Sequence, residues 1–231
     1  MPKDSLHEVL WSASDAPKRG PKPQIDRCQI VGAAVRVADD EGIAAASMQR
    51  IAAEVGVTKM ALYRHVPARP ELVALMVEAA LGPAPTIAAA GSWRRNLRSW
   101  ADAMRVVLSR HRWLPAALSG ARLIGPVELG WTEAGLGVLT GMPLSSTEKL
   151  DTLVLVGSHV RGIVEQSDSE APDPEHAIGV RLAVILDEHG GEFPLSAAAY
   201  AEAATATTAD QAYEYGLERI LAGVEDLISN R

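Results

Sequence analysis

Apolar side chains return every three or four positions along most of this 231-residue chain, and strict alternation is hard to find. A helix turns once in about 3.6 residues and buries one stripe, whereas a half-buried strand hides every second side chain, so the spacing commits the chain to helices. Composition agrees. There are 38 Ala, many in runs beside Leu, Arg and Glu, against ten residues of Phe, Tyr and Trp together; Ala is the strongest helix former and aromatics favour strands. The expected fold class is all-α. The chain is long enough to bury a core without staples, and Cys28, the single cysteine, leaves no disulfide framework. No apolar run approaches the roughly 18–20 residues of a membrane span, and the mixed-charge start MPKDSLHEVLWSASD is unlike a signal peptide. The expected compartment is the cytoplasm, with no membrane partner.

Residues 16–24, APKRGPKPQ, combine three Pro, one Gly and three basic residues, which suits an exposed arm within residues 1–24. Helical patterning follows over Ile25–Glu41, with Gly42 as its stop. Ser47 is placed to cap Met48–Val55, closed by Gly56, and Thr58 to cap Lys59–His65, ended near Pro67. A fourth helix is expected over Pro70–Leu81, and Gly82–Ser92 reads as a break. Beyond it the pattern predicts helices over Trp93–Arg110, a short one at Pro115, then Pro126–Thr140, Thr147–Glu165, Glu175–His189 with a Gly190-Gly191 stop, and Asp210–Ser229. The expected organisation is an arm over 1–24, a helix-turn-helix unit over 25–69, a connecting helix and linker over 70–91, and a larger helical domain over 92–231.

The stretch from Ser47 to Val66 carries the most chemistry. Two short helices meet at Gly56, with Ile51, Ala52, Val55, Val57 and Leu62 available to bury between them. The second helix exposes Thr58, Lys59, Met60, Ala61, Tyr63 and Arg64 near its start, where a major-groove helix meets base edges and phosphates.

The run Ile51-Ala52…Gly56-Val57-Thr58…Leu62-Tyr63-Arg64-His65-Val66, followed by Arg69 and Glu71-Leu72, resembles the tetracycline repressor (TetR) family of transcriptional regulators over about residues 26–76. More loosely, Trp93…Leu97…Trp100…Arg110-His111-Arg112-Trp113-Leu114 and Tyr215 to Leu221 resemble that family's ligand domain. The resemblance implies DNA-contacting roles for Ser47, Gln49, Thr58, Lys59, Met60, Ala61, Tyr63, His65 and Arg69. Gln49 stands where the family often has Arg, so a Gln–adenine pair is the expected departure, and Met60 and Ala61 suit a thymine methyl. Lys18, Arg19 and Lys22 are expected to enter the adjacent minor groove. Ser47 and Thr58 are equally ordinary helix caps, and His65 and Tyr63 sit where packing is an alternative to contact.

In the larger domain no enzyme motif survives. Gly135-Leu-Gly137 lacks the third glycine of a dinucleotide loop, no His follows a Glu by three positions, and Cys28 has no metal partner, so no cofactor, metal or catalytic residue is expected. An interhelical pocket for a small apolar or amphipathic effector is expected instead, with Trp100, Met104, Trp113, Trp131, His159 and Arg161 as candidates. Trp and Met at helical spacing are also ordinary core. By resemblance, Thr147–Glu165 and Asp210–Ser229 form a homodimer interface, with Leu153, Gly157, Val160, Leu217, Leu221 and Val224 as candidates.

The net charge of −7 conceals an asymmetry: residues 16–70 hold nine Lys+Arg against five Asp+Glu, residues 1–15 one against three, and residues 71–231 twelve against twenty-one. A modestly basic head on an acidic body presents one end to a duplex. The expected function is a homodimeric repressor that reads a palindromic operator and is released by a small molecule. Two others fit the same residues: a ligand-independent DNA binder, and an all-α ligand-binding protein or enzyme that keeps the helix-turn-helix as scaffold.

Overall fold

The structure, a computed structural model, describes residues 10–11, 25–87, 91–119, 122, 124–166, 174–203 and 211–231. Among the described residues every regular element is a helix. In chain order the helices are α1 Arg27–Glu41, α2 Met48–Glu54, α3 Lys59–Tyr63, α4 Arg69–Leu81, α5 Trp93–Arg110, α6 Leu114–Ala117, α7 Pro126–Val138, α8 Ser146–Gln166, α9 Pro174–His189, α10 Pro194–Ala203 and α11 Gln211–Ser229. No helix among the described residues is long and apolar enough to cross a membrane.

Local chemistry sets most boundaries. Asp26 and Gln29 form a reciprocal capping box, so α1 starts at Arg27 and not at Ile25. Ser145 and Glu148 do the same before α8: Glu148 Oε2 accepts from Ser145 N at 2.8 Å, and Ser145 Oγ accepts from Glu148 N at 3.2 Å. The sequence pattern missed α10. Pro194 presets its first turn and Ala dominates it, but none of its residues is buried, so it carries no apolar stripe for periodicity to reveal.

Packing divides the chain into two units, residues 1–153 and 154–231. In the first, α1 lies against α2 and α4, α2 against α3, and α4 also against α5, α6 and α7. Ile30, Ala33, Ala34 and Val37 of α1, Ile51 of α2, Leu62 of α3 and Leu72 and Met76 of α4 are buried. Each large side chain removed from water in this way contributes roughly 1.5–3 kcal/mol before entropy is counted. Leu10 is buried and Trp11 Nε1 donates to the Ile124 carbonyl at 3.2 Å, so this part of the expected N-terminal arm is anchored. In the second unit α9 packs on α10. There, too, the His159 ring of α8 stacks on Tyr213 of α11 at 5.8 Å between centroids.

Candidate nucleic-acid interface

The reading head is built by short-range bonds. Ser47 Oγ accepts from Arg50 N at 3.1 Å and opens α2; Thr58 Oγ1 accepts from Ala61 N at 3.2 Å and opens α3. Between them Gly56 adopts φ +69°, a left-handed conformation that glycine enters without a Cβ penalty. Both hydroxyls therefore act as caps, and a capping hydroxyl still carries a proton that can be donated outward.

Leu62, fully buried, seats α3. Around it Lys59, Met60, Tyr63 and Arg64 point to solvent, with Met60 70% and Tyr63 38% exposed, while Ala61 and His65 are half-buried. The Lys59 ammonium lies 5.7 Å from the Tyr63 ring centre, a cation–π distance that sets the two side chains on one face. Gln49 of α2 is exposed. Its neighbour Arg50 is committed elsewhere: hydrogen bonds to Glu41 and Glu54, each 2.7 Å at its shortest, hold its guanidinium protonated even more firmly than usual. Arg69, expected at a phosphate, donates through Nη2 to the Ile43 carbonyl at 3.0 Å and braces the α1–α2 connection. Lys18, Arg19 and Lys22 lie outside the described residues.

The head is tied to the helices behind it by polar joints that sequence spacing could not reveal. Asp39 Oδ1, on α1, accepts from Trp113 Nε1 at 2.7 Å and from His111 Nδ1 at 2.8 Å. Both partners lie more than 70 residues away and are buried. Glu78, on α4, caps α7 from outside that helix: its carboxylate accepts from Val127 N at 2.8 Å and Glu128 N at 3.1 Å. A Cβ at Gly125 would overlap the Glu78 carboxyl group, so glycine permits this approach. Trp131 Nε1 donates to the Gly82 carbonyl at the end of α4, and Trp100 Nε1 to the Trp131 carbonyl, both at 3.0 Å.

The sequence matches the profile of bacterial regulatory proteins of the tetR family over residues 30–76 and that of the tetracyclin repressor-like C-terminal domain over residues 85–228. The chain belongs to the TetR family. Among its relatives is the HTH-type transcriptional repressor DrrR1 of Streptomyces coeruleorubidus, 32% identical over 97% of this chain and 86% of the relative. Similar solved structures include the TetR family protein ActR of Streptomyces coelicolor in complex with actinorhodin, at TM-score 0.73 and 25% identity over 90% of this chain and 98% of ActR. BioQ with its double-stranded DNA operator superposes at TM-score 0.55 with 24% identity, covering 68% of this chain and 94% of BioQ.

Within this TetR-family chain the six expected effector residues fall in both units, Trp100, Met104, Trp113 and Trp131 in the first and His159 and Arg161 in the second. Trp100 and Trp131 are buried and meet edge to face at 6.4 Å, filling the space between α5 and α7. Met104 is half-buried on α5, and Trp113 is bonded to Asp39. His159 stacks on Tyr213 and donates through Nε2 to its carbonyl at 2.9 Å; Arg161 donates to Ser158. The expected interface residues Leu153, Val160, Leu217, Leu221 and Val224 are buried within the single chain, and Gly157 is half-buried. The same helices leave other apolar side chains bare: Val154 and Leu155 on α8, and Tyr215 and Leu227 on α11. A Cβ at Gly162 or Gly223 would find open space beyond its own helix.

Proposed function

We propose that the chain is a transcriptional repressor that binds a palindromic operator as a homodimer and lets go when a small amphipathic effector binds its C-terminal domain. One observation carries the reading: a Thr58-capped α3 presents Lys59, Met60 and Tyr63 outward while Leu62 alone anchors it. Lys59 and Tyr63 reach phosphate, Met60 meets a thymine methyl, and Gln49 pairs with adenine from α2. Lys18, Arg19 and Lys22 extend the contact into the minor groove. The second copy docks on α8 and α11, where Val154, Tyr215 and the open Gly162 and Gly223 positions leave apolar surface and room. Two reading heads then stand roughly 34–36 Å apart, one helical turn of DNA. The protein works in the cytoplasm, by binding and without catalysis. Carrying an operator complex from almost fully bound to almost fully free requires an effector that prefers the released state by about 10⁴-fold.

The test is selection of duplexes from a random pool, followed by gel shift on the selected sequence. The wild type should select a palindrome, and Lys59→Ala combined with Tyr63→Ala should weaken binding by at least about 100-fold, two lost phosphate contacts at roughly tenfold or more each. A pool that yields no sequence, or a double variant that binds like wild type, overturns the assignment. Val154→Glu with Tyr215→Glu should sediment as a monomer and lose the palindrome preference.

A further inference from the structure

Asp39 is ill-placed by the rules of its own helix. It sits in the last turn of α1, where no basic residue accompanies it and a negative charge opposes the helix dipole. What holds it comes from outside α1. His111 ends α5 and Trp113 opens α6, so one turn of chain brings two N–H donors to the Asp39 carboxylate. Both bonds fall on Oδ1, at 2.8 and 2.7 Å, and both rings are buried, at 9% and 5% exposure. An ionised carboxylate only accepts, which places the His111 proton on Nδ1. Bonds from buried donors to a charged acceptor are shorter and stronger than those between neutral groups, so the clasp is firm.

Where the clasp lies matters more than its strength. α1 packs on α2 and α4, and α4 in turn carries α5, α6 and α7, so α4 is an axle shared by the head and the helices behind it. A head held along a single helix keeps rotation about that helix as its softest motion. Asp39 bonds to the α5–α6 turn and not to α4, which adds an attachment off the axle and fixes the pitch of the head. Two copies related by a two-fold axis turn their heads in opposite senses, so an error in pitch enters the separation of the recognition helices twice. We propose that Asp39 is a positioning residue for operator recognition: its clasp on His111 and Trp113 sets the distance between half-sites that the homodimer accepts. The inference rests on the reading of the chain as a homodimeric repressor of a palindrome.

Two measurements on the full-length chain test it. Cys28, the single cysteine, is exposed on α1, so a nitroxide attached there reports the distance between the two heads by pulsed dipolar spectroscopy, without DNA. Wild type should give one narrow distance and Asp39→Ala a broader distribution, with Asp39→Asn close to wild type because an acceptor oxygen remains. Gel shifts then compare the selected operator with versions whose half-sites stand one base pair closer or further apart, a displacement of about 3.4 Å. Wild type should lose at least about tenfold on either version, as for one mismatched position, and Asp39→Ala less than about threefold. A base change inside a half-site should cost both proteins the same factor. Trp113→Phe keeps an aromatic ring and removes one donor; it should fall between, and it carries the test should Asp39→Ala fail to fold by circular dichroism. Uniform weakening on every operator with the spacing preference intact, or a distance distribution as narrow as wild type, overturns the proposal, since a merely structural residue would give that result. A wild type that shows no distance between heads, or selects no palindrome, fails the homodimeric reading, and the spacing role falls with it. A wild type that does both while Asp39→Ala matches it leaves that reading standing and removes the clasp alone.

Discussion

Helices α3 and α4 follow one another in the chain and solve opposite problems. α3 has five residues, one of them buried, and offers nearly all its surface to solvent. α4 has thirteen, touches four other helices, and bonds at its start to the head and near its end to α7. The face that α3 presents is bare, whereas α4 is a strut braced by helices on several sides. A bare surface and a braced strut are therefore separated by only a few residues of sequence, yet differ almost completely in how much of their environment the chain supplies.

The largest effect should come from removing the single anchor of the bare helix. Leu62→Ala should cost about 2–5 kcal/mol, the range for emptying a fully buried leucine site. Thermal melting should show the loss first in the head, with operator binding abolished. An intermediate effect should follow at the latch between α1 and the α5–α6 turn. Asp39→Ala leaves His111 and Trp113 N–H groups buried without an acceptor, which costs about 1–3 kcal/mol for an unsatisfied donor. Asp39→Asn keeps an acceptor oxygen and should recover part of this in urea denaturation; equal losses in the two variants would show that packing and not hydrogen bonding holds the joint. Arg50→Ala should do least. Both of its ion pairs are solvent-exposed, and exposed pairs contribute little, so the melting temperature should stay within error of wild type.

The same contrast explains how much the sequence disclosed. Ser47, Thr58 and Gly56 were legible because a cap reaches three residues and a turn is made by one glycine, so their partners lie in the same short string. Most helices were legible through their buried stripe. Asp39, Glu78 and Arg69 were not legible as joints, because their partners stand 26 to 74 residues away and no periodicity marks a carboxylate that will cap another helix. Trp100, Trp131 and Trp113 drew attention by residue type, but helical spacing is the same for an indole that lines a space and for one that fills it. Their N–H bonds to the Trp131, Gly82 and Asp39 oxygens are long-range partners that no spacing marks.

The brevity of α3 has a consequence for how such a protein changes over time. Five residues cannot hold a helix in water by themselves, so its shape is lent by Leu62 and the Thr58 cap. None of the side chains that face outward is part of that loan. Lys59, Met60 and Tyr63 can be exchanged for other residues with little penalty in folding, so the outward face of α3 can vary from one descendant to the next while the architecture stays fixed.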